Sequence, residues 1–316
     1  MDLTQSIFFE LGKIEPKNYK VKNDIKLRKS NRIKTIKSSV SIEGNSLSIE
    51  QVTDVLNGKK VIAPSKDLIE VKNAILTYEQ FDTLNALKIE DLLNAHKLLM
   101  NQLTDIPGEF RNSQIAVFKD NEPIHIAPPP LKVPELMANL FEYSRKSDDS
   151  FLIKSCVFHY ELEFIHPFCD GNGRMGRLWQ QVLLVRVHPI FKLVCIEELL
   201  EQSQKDYYDA LHNSDINGRS TFFIEFMLKI ILNALQQLNT KLKCCINNTF
   251  EDRLSYAKSL LTNLKLEKFK RQDYMRLFPN ISTATASRDL INGVKNGILE
   301  KSNTGNQTTY RFILNQ

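Results

Sequence analysis

The chain has 316 residues, 42% of them apolar and 25% charged, with a formal net charge of +5. That is the composition of an ordinary globular chain, long enough for two or three domains and a sizeable core. Its five cysteines show no Cys-x-x-Cys pair and no zinc spacing, the start from Met1 to Gln5 is unlike a signal peptide, and no run approaches the ~20 apolar residues of a membrane span. These features together point to a reducing cytoplasmic setting away from membranes. Two stretches carry the positive charge: Lys13–Lys37, with ten Lys/Arg against Glu15 and Asp24, and residues 251–316, with eleven Lys/Arg against six Asp/Glu. Such runs read as solvated surface.

In chain order, the first clear element is a helix over about Asn31 to Glu43. Ile33, Ile36, Val40 and Ile42 fall on one side, and Gly44 is its C-terminal stop. Glu43 in the last turn faces the negative end of the helix dipole, a cost of roughly 0.3–1 kcal/mol unless a cation from elsewhere compensates. A hairpin isolated among helices follows. It runs from Gly108 through Ile115, Val117 and Phe118, turns at Lys119–Pro123 and returns over Ile124–Ala127 into the stiff Pro128–Pro130 connector. His125 reads as a hairpin residue rather than a second base. Ile153, Cys156, Val157, Tyr160 and Phe164 then recur at helical spacing.

The densest chemistry comes next, in His166-Pro167-Phe168-Cys169-Asp170-Gly171-Asn172-Gly173-Arg174-Met175-Gly176-Arg177. The apolar stretch after it, Leu178 to Val185, reads as a buried helix, so the loop would sit at a helix N-terminus that receives anions. Gly171 and Gly173 let the backbone turn and approach phosphate oxygens, and Asn172 can offer its amide donors. Arg174 and Arg177, three apart, would form a clamp on one face. His166 suits the removal of a proton from a hydroxyl at neutral pH. Asp170 suits Mg²⁺, which keeps most of its waters and phosphate ligands and needs few protein carboxylates.

Downstream, Tyr207-Tyr208 lies on an amphipathic helix, and a long helix over Thr221–Lys243 closes the domain. Asn247-Asn248-Thr249 reads as a linker. Beyond it the chain looks like a winged helix, with Asp273–Phe278 ending one helix, Pro279-Asn280 as the turn and Ser282–Leu290 as the recognition helix. The wing strands would be Ile298–Lys301 and Thr308–Ile313 around Asn303–Asn306.

The run His166–Arg177 matches the Fic motif at every specified position, so the chain is identified as resembling the Fic family. That resemblance implies transfer of AMP from ATP to Ser, Thr or Tyr hydroxyls of target proteins. His166 then resembles the base, Asp170 the Mg²⁺ ligand, and Gly171–Gly173 the anion hole. Arg174 and Arg177 resemble the phosphate arginines, with Gly176 between them. Ser39-Val40-Ser41-Ile42-Glu43-Gly44-Asn45 is similar to the family's inhibitory motif, which implies that Glu43 and Ser39 meet Arg177 and restrain ATP. The hairpin resembles the family's flap, where Ile115, Val117 and Phe118 would meet a target segment by strand addition. Tyr207 or Tyr208 would line the adenine or ribose pocket.

The expectation is a mainly α fold: a Fic-type helical bundle with a β-hairpin flap and a small C-terminal winged-helix α+β domain. The expected parts are residues 1–90, an N-terminal helical region; 91–245, a catalytic core; and 250–316, the winged helix. Expected partners are hydroxyl-bearing proteins, the chain itself as a target, and a second copy in a homodimer. DNA is the less favoured partner of the winged helix. The alternative is a DNA-binding regulator whose Fic domain senses nucleotide.

Overall fold

The computed structural model describes residues 2–14, 21–119, 122–246, 250–263, 268–278, 281–302 and 308–313. The expected turn Pro279-Asn280, the linker Asn247–Thr249 and the wing tip Asn303–Asn306 lie outside them. Two compact units form: residues 1–12 with 21–236, and residues 237–316 with 13–20.

The first unit is a helical bundle with one hairpin. Its elements are α1 (Leu3–Gly12), α2 (Val21–Ile42), α3 (Ile49–Leu56), α4 (Ser65–Glu79) and α5 (Ile89–Leu99), then β1 (Ala116–Lys119) and β2 (Glu122–Ile126). After the hairpin come α6 (Val133–Lys146), α7 (Phe151–Ile165), α8 (Asn172–Val187), α9 (Ile196–Gln202), α10 (Gln204–Asn217) and α11 (Thr221–Ile246), whose residues after 236 belong to the second unit. Helices α7 and α8 form the centre. Gly176 on α8 makes their close approach feasible, since a Cβ there would stand 2.6 Å from His159 Cδ2. Phe141 packs edge to face on Phe158 and Trp179, which stack on each other, and the Trp179 indole donates to the Ala86 carbonyl at 3.1 Å.

Apolar packing runs across residue 90 without a break. One apolar cluster draws Ile33, Ile36 and Val40 of α2 together with Leu92 of α5 and Leu178 and Trp179 of α8, so the N-terminal helices share a core with the motif helices. Helix α2 begins ten residues before the expected start and ends at Ile42, leaving Glu43 just beyond it. Gly44 adopts φ +91°, and the Asn45 amide donates back to the Val40 carbonyl at 3.1 Å, the bonding of a left-handed helix stop. Helix α7 is covered on nearly every side, and Phe164, expected only at helical spacing, lies in its last turn and is 37% exposed.

The hairpin is shorter than expected, with Ala116 opposite Ile126 and a register shift between Val117 and Phe118. Ile115 precedes the strand, its carbonyl accepting from the Ala127 amide at 3.1 Å. One reading of apolar content also changes. Residues 221–241 are long and apolar enough to cross a membrane by length and composition. Their apolarity has a simpler cause, because Phe223, Met227, Ile231 and Leu235 are fully buried in the protein.

The second unit contains α12 (Phe250–Asn263), α13 (Arg271–Leu277), α14 (Thr283–Lys295), β3 (Leu299–Ser302) and β4 (Thr309–Phe312). The strands pair antiparallel with Leu299 opposite Phe312, and Phe269 bridges to Tyr310 on the outer edge. Leu254, Leu261, Phe269, Tyr274, Phe278, Leu290 and Leu299 make its own core. Ser282 caps α14, accepting from the Thr285 amide at 3.1 Å.

Candidate active site

The end of α7 and the start of α8 shape the site. His166 terminates α7 in the left-handed region, φ +49°, and Pro167 has no N–H with which to continue the helix. Phe168 is fully buried and stacks on His96 with ring centroids 3.7 Å apart. His96 accepts from the Gly108 amide through Nδ1 and reaches the Asp170 carbonyl through Nε2 at 2.9 Å; burial, opposed by that hydrogen bond, pushes its pKa down to about 4. The ring therefore works as a neutral spacer that fixes the loop.

Gly171 makes the turn into α8 at φ +86°, where a Cβ would meet Met100 at 2.6 Å, and it offers no side-chain cap. The Gly-Asn-Gly stretch is accordingly the corner and first turn of α8 rather than a free loop. Asn172 corrects an expectation. Its amide faces inward, 2% exposed, accepting from the Phe168 amide and donating to the Phe168 carbonyl, both at 2.9 Å. It clamps the loop instead of presenting donors to phosphate, because two buried backbone groups would otherwise lack partners.

The two arginines also part company. Arg174 binds Glu70 on α4 and Asp170 Oδ1, the latter at 2.9 Å, and Asn45 holds the other Glu70 oxygen at 2.7 Å. Arg177 turns to the end of α2. Its Nε donates to Ser39 Oγ at 3.2 Å, and its Nη2 to the Ser39 carbonyl at 2.9 Å and Glu43 Oε1 at 2.7 Å. Arg177 Nη1 is buried with no hydrogen-bond partner. Burial works against this guanidinium, but the charge and hydrogen bond of Glu43 and the charge of Glu163 keep it firmly cationic. Gly173 leaves room for the pair, since a Cβ there would lie 2.6 Å from Glu43 Oε1.

A cleft of about 190 Å³ opens over this arrangement, lined by Glu43, Val117, His166, Gly173, Arg177, Tyr207 and Tyr208 among others. Ligand pockets usually reach roughly 300–1,000 Å³, and Glu43 stands in the wall of this one. Tyr207 is both core and lining: fully buried, its hydroxyl lies 3.0 Å from His159 Nε2, while Tyr208 is 42% exposed. His166 Nδ1 lies 3.3 Å from the Glu163 carbonyl, which leaves Nε2 as the acceptor. Burial lowers the His166 pKa more than Glu163 raises it, so the ring is neutral at pH 7. Of the other expected residues, Asp170 side chain is 51% exposed outside the cleft lining, Gly176 serves helix packing, and Ile115 sits beside the hairpin. The Phe118 side chain lies outside the described residues.

Four residues of the site escaped the sequence reading. Arg111, 2% exposed, donates to the carbonyls of His166, Ser113, Pro128 and Ile165 at 2.7, 2.8, 2.6 and 3.3 Å, tying the end of α7 and the His166 turn to the base of the hairpin. Glu70 and Asp215 carry no local signal. Glu163, one turn before His166, could have been found from its helical spacing.

The Fic/DOC family description matches residues 86–184. The chain is 29% identical over 236 residues to Protein adenylyltransferase Fic of Aedes aegypti, covering 70% of this chain and 46% of that protein. It is 31% identical over 197 residues to the Culex quinquefasciatus protein of the same name, covering 58% and 38%. The chain thus spans less than half the length of these curated relatives. A crystal structure of a Fic family protein from Desulfovibrio desulfuricans G20 superposes with a TM-score of 0.71 at 33% identity, over 99% of this chain and 95% of that one. With near-complete mutual coverage at that identity, the chain belongs to the Fic/DOC family.

Proposed function

We propose that the protein transfers AMP from ATP to a hydroxyl side chain of a target protein, and that Glu43 restrains the reaction. The carrying observation is the 2.7 Å Glu43–Arg177 ion pair in the cleft that His166 also lines. In this reading His166 Nε2 takes the proton of the incoming hydroxyl. The hydroxyl oxygen bonds to the α-phosphorus, the bond to the β-phosphate oxygen breaks, and pyrophosphate leaves. The first-turn amides of α8 and the Arg177 guanidinium hold the phosphates, with Arg177 Nη1 as a donor already in place. Val117 supports the acceptor segment by strand addition, and Tyr207 and Tyr208 flank the nucleoside.

Asp170 fits a Mg²⁺ role by its donor chemistry. Oδ1 is taken by Arg174 and the Gly171 amide, and the half-exposed carboxylate still offers Oδ2. Mg²⁺ with a triphosphate needs one or two carboxylates, and when bound it would neutralise the departing pyrophosphate.

Glu43→Gly is expected to raise labelling of targets, and of the chain itself, with isotopically labelled ATP by about tenfold, which requires the ion pair to oppose nucleotide by only about 1.4 kcal/mol. His166→Ala in that background is expected to lose ~10²–10⁴-fold. Transfer undiminished in His166→Ala would overturn the mechanism. Residues 250–316 we assign to a winged helix that docks targets or partners in the cytoplasm. Sequence-selective, salt-sensitive binding to duplex DNA would instead favour the regulator reading, for which the exposed Thr283, Ala284 and Arg288 on α14 are the relevant surface.

A further inference from the structure

Both ring nitrogens of His125 meet acceptors. Nδ1 lies 2.9 Å from Asp215 Oδ2, and Nε2 lies 2.8 Å from the Phe164 carbonyl oxygen. The other Asp215 oxygen accepts from the Tyr160 hydroxyl at 2.9 Å. A neutral imidazole has one N–H and one lone pair, so it satisfies one of these acceptors and opposes the other. The imidazolium satisfies both. His125 belongs to β2, Asp215 to α10, and Phe164 to the last turn of α7, where the helix dipole favours a cation. The ring thus joins three elements, and it lines the same cleft as His166.

We propose that His125 is a positioning residue for the transfer reaction: as an imidazolium it latches the hairpin to α7 and α10, and its charge keeps His166 free to accept a proton. The catalytic half of this rests on the adenylyl-transfer reading; the latch does not.

The surroundings agree. Burial alone would push the His125 pKa down, but the hydrogen bonds to Asp215 and Phe164 and the charges of Asp215 and Glu163 outweigh it, so the net shift is upward. At His166 burial lowers the pKa, Glu163 opposes, and the charges of His125 and Arg111 lower it further. Glu161 adds negative charge near Asp215, and Glu43, Arg177 and His212 complete the charged and titratable lining. A histidine with a raised folded pKa holds its partners below the ordinary imidazole range and loses them as pH rises through the raised value. The latch is closed below the ordinary imidazole range and opens as pH rises through the raised value.

Histidine NMR titration of the full chain tests this without requiring activity. In the wild type His125 is expected to titrate above the ordinary value of ~6.5, and His166 below it. His125→Gln should move the His166 titration upward, and Asp215→Asn should move His125 downward. With Glu43→Gly added, transfer at pH 6 relative to pH 8 should fall about threefold on His125→Gln, because more His166 is protonated at pH 6. His166 titrating identically with and without His125, or wild-type His125 titrating at or below the ordinary range, would overturn the proposal. Absence of transfer in every variant would instead count against adenylyl transfer, and the titration would still decide the latch.

Discussion

Asn172 shows how a motif residue can matter without touching a ligand. Its two 2.9 Å hydrogen bonds satisfy both backbone groups of the fully buried Phe168, and Phe168 stacked on His96 holds the loop that ends in Asp170. Asn172→Ala would leave a buried amide and carbonyl unpaired, a cost of about 2 kcal/mol. The expected outcome is a lower urea midpoint for the first unit together with weaker transfer. Asn172→Asp keeps the acceptor for the Phe168 amide but loses the donor, and should fall between. An unchanged midpoint in Asn172→Ala would show that the clamp contributes nothing.

At the scale of elements, the C-terminal end of α2 does two jobs with adjacent positions of one side. Ile36 and Val40 are buried in the main core, while Ser39 and Glu43 hold Arg177. On the proposed reading the restraint acts through the Glu43 carboxylate and not through the packing of the helix. Ile36→Ala is expected to cost about 2–5 kcal/mol through the cavity it leaves, seen as a lower melting temperature. It should not reproduce the gain in transfer from Glu43→Gly. If both variants activate alike at temperatures where both are folded, the restraint lies in helix docking rather than in the carboxylate.

At the scale of the whole molecule, the second unit has a core of its own and a buried polar node within it. Arg253 Nε and Nη2 donate to Asp289 at 2.5 and 2.6 Å, and the Tyr274 hydroxyl donates to the same carboxylate at 3.1 Å. Removing the acid leaves a buried cation, at a cost of about 3–5 kcal/mol, a large share of a small domain's stability. Asp289→Ala is expected to lower or abolish one calorimetric transition and leave the transition of the first unit in place. A uniform shift of all heat absorption would show that the two units unfold as one.

How much of this was legible in the chain varies by residue. Gly44 as a helix stop, the hairpin near Val117, and the His166–Arg177 corner were readable because a few neighbouring residues set their backbone geometry. The Glu43–Arg177 pair, 134 residues apart, was legible through the motif resemblance and the unpaired carboxylate at a helix end. The Glu70–Arg174 and His125–Asp215 pairs were not, since no periodicity or turn chemistry says which distant helix will face a charge. The same holds for Phe164, whose apolar character predicts burial but whose position at the end of α7 puts it beside the cleft.

Local sterics and backbone hydrogen bonding thus let the sequence by itself determine that a helix stops at Gly44, which residues form the corner, and that an imidazole, two guanidinium groups and a carboxylate belong to one short segment. Tertiary packing alone decided that Arg174 goes to Glu70, that Asn172 turns inward, and that His125 meets two acceptors. The reason is energetic: a buried charge or amide must find a partner, and only the packed bundle determines which one lies within reach.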